Sequence, residues 1–190
     1  MLHHDPREVK MRVEIERKFH VLDDRWRKHA SRASEIRQAY IVSTRNRVVR
    51  VRTVNAVRAT LALKIRIGPA RREEYEYEIP YADAIGLFEH ALGVVEKTRY
   101  EVDYQGHCWE IDVYTGLHRG LVIAEVELRN ADEDPPRPIW LGPEITGNRS
   151  YSNRALAMNT RRIEGGSLNT HSQIREAKKV ARSTAYEPIK

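Results

Sequence analysis

The strongest constraint on this chain is a two-residue alternation of charged and apolar side chains that recurs along most of its length. In VEIERKF (13–19), Glu14, Glu16 and Lys18 fall on one face of an extended strand, while Val13, Ile15 and Phe19 fall on the other. The same pattern returns in VVRVRT with Arg50 and Arg52, in LALKIRI with Lys64 and Arg66, and in EEYEYEI with Glu74, Glu76 and Glu78. It continues in VEKTRY with Lys97 and Arg99, in WEIDVY with Glu110 and Asp112, and in AEVELR with Glu125 and Glu127. Between them lie apolar partners such as Val49 and Val51, Leu63 and Ile65, and Ile111 and Val113. Period-two runs of this kind predict strands near 11–21, 35–43, 46–53, 58–67, 72–79, 94–104, 107–114 and 121–129. Turn residues separate them, including Asn46, Gly68-Pro69 and Gly106. The predicted class is α+β and strand-dominated, an eight-stranded antiparallel barrel with a few flanking helices.

Helical spacing is confined to short stretches. YADAIGLFEHAL (81–92) follows Pro80, carries Asp83 in its first turn and is followed by Gly93. A second helix is predicted over 151–162 with Leu156 on its apolar face, and a shorter one over 23–31 capped by Asp23 or Asp24. DEDPPRP (132–138) reads as a loop. The predicted organisation is an N-terminal tail (1–10), one folded domain (11–163) and a basic tail (164–190) after the GGSLN linker.

An open sheet with a charged face in water would also satisfy the alternation. The distribution of sign argues for more. Arg50 and Arg52, Lys64 and Arg66, and Lys97 and Arg99 make basic strands; Glu74 to Glu78, Asp112, and Glu125 with Glu127 make acidic ones. Like charges on one strand face repel unless counter-charges lie among them. Closing the strands into a barrel brings both signs into one lumen. Carboxylates are hard ligands for Mg²⁺, and arginine and lysine grip phosphate oxygens, so such a lumen suits a metal-bound polyphosphate.

These segments resemble the CYTH superfamily, the triphosphate tunnel metalloenzymes. EIERK (14–18) fits its ExExK signature, and QAYI, RVR, LALKI, EYEYEIP, EKTRY, WEIDVY, GLVIAEVEL and WLGPEITGN follow in family order over about residues 11–160. The WLG–EITG ending is similar to the bacterial branch linked with inorganic triphosphatase activity. The resemblance implies hydrolysis of inorganic triphosphate to phosphate and pyrophosphate with Mg²⁺ or Mn²⁺. It assigns Glu14, Glu16, Glu76, Asp112, Glu125 and Glu127 to the metal and water machinery, with Glu74 and Glu78 as alternatives to Glu76 on the same face. Glu14, Glu16 and Lys18 would be catalytic. Lys18, Arg50, Arg52, Lys64, Lys97 and Arg99 would hold phosphates, with Tyr40 near the mouth. Arg149 stands one position before the usual basic residue of the closing helix, which here is Ser150. Alternatives in the same superfamily are a class IV adenylate cyclase or a thiamine or nucleoside triphosphatase; a non-catalytic polyphosphate-binding module is the alternative from another class.

The net charge of +6 and pI near 9.5 favour an anionic partner. Half of that excess comes from residues 167–190, where five Lys and Arg oppose two Glu. The body is therefore only mildly basic, and no nucleic-acid partner is expected. The single cysteine, Cys108, predicts a reducing, cytoplasmic compartment. No membrane partner is expected, and the expected state is a monomer or homodimer. No Ser–His–Asp set or P-loop motif is present.

Overall fold

The alternation becomes one long antiparallel sheet. In the computed structural model, the described residues are 15–67, 72–130 and 132–159. The strands are β1 (Ile15–Val21), β2 (Ala30–Ser43), β3 (Arg47–Val54), β4 (Arg58–Arg66) and β5 (Arg72–Glu78), then β6 (Gly93–Tyr104), β7 (His107–Tyr114), β8 (Val122–Leu128) and β9 (Leu141–Glu144). Their order is β5-β4-β3-β2-β6-β7-β8-β1-β9. Hairpins explain most neighbours; the pairings of β2 with β6, of β8 with β1 and of β1 with β9 are the long-range ones.

The strand class is as expected, with two differences. Among the described residues there are nine strands, not eight, and the sheet is not closed, since β5 and β9 each have one neighbour. The reason lies on the outer edge of β1. There Phe19 and Val21 pair with β9, Ile145 N–H donates to the Lys18 carbonyl at 2.8 Å, and Lys18 N–H donates to Thr146 Oγ1 at 3.0 Å. The edge that would meet β5 is thus taken by residues 141–146. Pro143 lies within β9 and supplies no N–H to a ladder.

Three apolar clusters support the sheet. Phe19, Trp109, Ile111 and Val126 pack one face of β1, β6, β7 and β8 beneath Trp26 and Trp140. Trp26 is delivered by a short 3₁₀ helix (Asp24–His29), whose cap is Asp23 accepting from Arg25 N–H at 3.0 Å. The predicted 23–31 helix is therefore a single 3₁₀ segment, and β2 begins at Ala30, five residues earlier than expected. Helix α1 (Tyr81–Phe88) covers β2–β4 through Ala84, against Ala39, Val51 and Ala59. Helix α2 (Asn153–Met158), shorter than predicted, buries Leu156 and Ala157 with Tyr40, Val95, Tyr114 and Ile123. This last cluster shares its sheet face with the charged residues and closes one end of them. Glycine is needed for that closure: a Cβ on Gly93 would lie 2.1 Å from the Ala157 carbonyl oxygen. The proposed tails lie outside the described residues, and no described helix is long and apolar enough to cross a membrane.

Candidate functional site

Register brings the charged side chains together. Lys18 on β1 stands opposite Glu125 on β8, and Glu16 opposite Glu127. Glu110 on β7 stands opposite Glu125, and Arg99 on β6 opposite Asp112. The ammonium of Lys18 bonds Glu125 and lies 3.0 Å from Glu16. Arg99 is a hub: Nε donates to Asp112 Oδ1 and Nη2 to Asp112 Oδ2 and Glu125 Oε2, each at 2.7 Å, and Nη1 bonds Glu110. Lys97, 3% exposed, pairs with Asp112, which is 0% exposed. On the other half of the sheet Arg50 meets Glu76 at 3.1 Å and Lys64 meets Glu74 at 2.8 Å. The two signs therefore interleave across the sheet: Lys64 finds Glu74 on the adjacent strand, Lys97 and Arg99 find Asp112 on the adjacent strand, and Arg50 reaches over β4 to Glu76 on β5. This is the arrangement that makes runs of like charge tolerable on a half-buried face.

Burial and pairing shift the titrations in opposite senses. Burial alone would raise the Asp112 carboxyl, but Lys97 and Arg99 outweigh it and hold it below the usual carboxylate range. Burial pulls Lys18 down, and Glu125 and Glu16 more than restore it. Burial raises Glu110, against the opposing pull of Arg99. Arg52 moves the other way from Arg99: burial and the neighbouring Arg50 lower it. Among the described residues Arg52 has no ion pair, and its Nε is buried without a hydrogen-bond partner. Gln38, directly opposite it on β2 and 1% exposed, has an unpartnered Oε1; Thr60, opposite it on β4, has an unpartnered Oγ1. The Arg52 Nε, like that of Arg50, is a buried donor without a partner on a side chain that is itself half-buried, and such a donor is costly unless an acceptor such as an anion reaches it. Tyr40, expected near the mouth, is instead buried under α2 at the end that helix closes; burial raises its hydroxyl while Arg50, Arg52, Arg154 and Lys18 act in the opposite sense.

Of the residues singled out from sequence, Glu16, Lys18, Lys97, Arg99, Asp112 and Glu125 form one contiguous ion-pair network, with Glu127 exposed beside it and unpaired among the described residues. Arg50, Arg52, Lys64, Glu76 and Tyr40 lie on the same sheet face across β2–β5. Glu14 lies outside the described residues. Arg149 is exposed in a 3₁₀ turn (Arg149–Tyr151), and its guanidinium has no partner among them. Glu110 was placed on the charged face without a role, and three neighbours were not singled out: Gln38, Asn153 and Arg154. Tyr40's place two residues on from Gln38 was a signal for Gln38. The others have only their place in the first turn of α2. Arg154 ties that helix to the β2–β3 turn through Ser43 Oγ at 2.7 Å and Thr44 O at 3.0 Å.

The carboxylates suit a hard divalent cation in kind. Glu16 faces Glu127, and Glu110 faces Glu125, two like-charge pairs side by side that invite a cation between them. As the chain stands, no three His, Cys, Asp or Glu side chains among the described residues converge to hold a metal. Lys18 and Arg99 occupy the space between the carboxylates instead.

The CYTH domain family model matches residues 7–155. The chain belongs to the CYTH family. It is 38% identical over 151 residues to the inorganic triphosphatase of Acetivibrio thermocellus, covering 78% of this chain and 96% of that one. With the inorganic triphosphatase of Nitrosomonas europaea it shares 31% identity over 150 residues, covering 77% and 97%. A crystal structure of an inorganic triphosphatase superposes with a TM-score of 0.63 at 31% identity, covering 80% of this chain and 98% of the other. For this CYTH chain the described part of the ExExK segment, residues 15–18, lies in β1, and its Lys18 is held between Glu16 and Glu125.

Proposed function

We propose that this CYTH protein is a divalent-metal-dependent triphosphatase that hydrolyses inorganic triphosphate to phosphate and pyrophosphate. The observation that carries the reading is Arg52: among the strand cations assigned to phosphate binding, it is the one with no carboxylate partner among the described residues, and it sits among unpaired polar atoms. The similarity to inorganic triphosphatases supports the same reaction. Arg52 and Arg50 receive the polyphosphate oxygens, and Tyr40 orders them from the closed end. Lys18, Lys97 and Arg99 then exchange carboxylate for phosphate, which frees Glu125, Asp112 and Glu16. Family membership supports a divalent cation, and we assign Glu14, Glu16, Glu76, Asp112, Glu125 and Glu127 as the residues that would hold it. Mg²⁺ or Mn²⁺, when bound, would neutralise oxygen charge and lower the pKa of a water. The freed carboxylates orient that water for in-line attack on a terminal phosphorus; the P–O bond to the bridging oxygen breaks, and pyrophosphate leaves held by the arginines.

The test is a panel of tripolyphosphate, pyrophosphate, ATP and thiamine triphosphate, each with Mg²⁺ and with Mn²⁺, with products identified. Tripolyphosphate is expected to turn over best, and only with metal. Cyclic AMP as the main product from ATP would replace this reading with a cyclase.

A further inference from the structure

Helix α2 closes one end of the charged face, and its first residue reaches further than closure requires. Asn153 Oδ1 accepts from the Tyr114 hydroxyl at 2.9 Å and from Lys97 Nζ at 3.4 Å. An ammonium has only donors, so the atom facing Lys97 must be the amide oxygen, and the NH₂ group is turned away. Lys97 is otherwise held by Asp112 and by the Tyr114 ring, 5.6 Å from its ammonium. Asp112, however, is shared with Arg99. The helix itself is anchored independently: Ser152 caps it, accepting from Ala155 N–H at 3.1 Å, and His118 Nε2 donates to the Leu156 carbonyl at 2.8 Å.

We infer that Asn153 is a positioning residue that clasps Lys97 from the closing helix, holding its ammonium over the site without cancelling its charge. The choice of amide follows from electrostatics. A neutral acceptor fixes the ammonium in place while leaving it to attract an anion. A carboxylate at the same point would pair with Lys97 and compete with phosphate. The inference rests on the triphosphate reading for its purpose, but the clasp itself is a statement about Lys97.

Two measurements test it. Calorimetric titration with tripolyphosphate in chelator compares wild type, Asn153→Ala, Asn153→Asp and Ser152→Ala. Asn153→Asp keeps the acceptor for Tyr114 and adds a charge beside Lys97, so it tests the electrostatic argument, while the acetylation arm separates the clasp from a purely structural role. The clasp predicts binding weakened about tenfold by the added charge, more than in Asn153→Ala. Ser152→Ala loosens the helix cap without touching Lys97 and is expected to bind as wild type does. The second measurement is acetylation of Lys97 by acetic anhydride, followed by mass spectrometry. Lys97 is expected to be protected in wild type and Ser152→Ala and to lose protection in Asn153→Ala. Wild-type binding by a folded Asn153→Asp, or unchanged protection in Asn153→Ala, overturns the clasp. Wild-type protein that fails to bind tripolyphosphate overturns the triphosphate reading instead, and the acetylation result then decides the clasp alone.

Discussion

Replacing Glu125 by glutamine should strengthen metal-free binding of tripolyphosphate while weakening metal binding. Glu125 is 6% exposed and accepts from both Lys18 and Arg99. Each cation must leave it before gripping phosphate. A hydrogen bond to a charged group has a net worth of about 1.5–3 kcal/mol against about 1 kcal/mol for a neutral one, so glutamine weakens each contact by about 1 kcal/mol. Lys18 keeps Glu16 and Arg99 keeps Asp112, so neither is released outright. With two contacts weakened, the gain is about 2 kcal/mol, or about thirtyfold in affinity. Metal and triphosphate should also bind with positive coupling in wild type, because the anion draws off the cations that occupy the carboxylates, and coupling is reciprocal. The assay is calorimetry: tripolyphosphate in chelator, then Mn²⁺ alone, and Mn²⁺ with the slowly cleaved or mutant-arrested complex. A folded Glu125→Gln protein that binds metal-free tripolyphosphate no more tightly than wild type would refute the exchange of ion pairs.

Arg52→Gln should weaken metal-free tripolyphosphate binding about tenfold or more, since it removes the strand cation that needs no prior release; unchanged calorimetric affinity would show that this arginine is not the anchor. Glu144 is held down to about 2 by the Arg17 guanidinium and the Thr146 hydroxyl. Its folded value is depressed, so its stabilisation is complete above the ordinary value of about 4.3 and is lost as pH falls toward 2. Glu144→Gln should accordingly flatten the fall in Tm between those pH values, and a parallel fall in both proteins would sink the argument. Gly93→Ala should destabilise by about 1–3 kcal/mol, because its Cβ meets a backbone carbonyl of α2 and not a flexible side chain. A Tm equal to wild type would mean that the helix can retreat freely.

The two-residue period is a local property of extended chain. It was therefore enough, from sequence, to put Glu16 with Lys18, Arg50 with Arg52, Lys97 with Arg99 and Glu125 with Glu127 on common faces, and to delimit most strands. The ninth strand escaped notice because LGPE has neither alternation nor β-branched residues, and it forms only because β1 offers an unpaired edge. Pairing of charges was beyond local reasoning for the same kind of reason. Lys18 and Glu125 are 107 residues apart, and only the β1–β8 register decides that they meet. The β6–β7 register likewise decides that Asp112 is buried between Lys97 and Arg99. Arg52 looks like Arg50 in sequence, and neither has a carboxylate directly opposite it, yet only Arg50 reaches one, Glu76 on β5. Asn153 reaches Lys97 only because α2 folds across the sheet's end, where Gly93 lets it approach. Side-chain direction follows from backbone period, whereas the identity of a neighbour across strands depends on long-range register, which no short segment encodes.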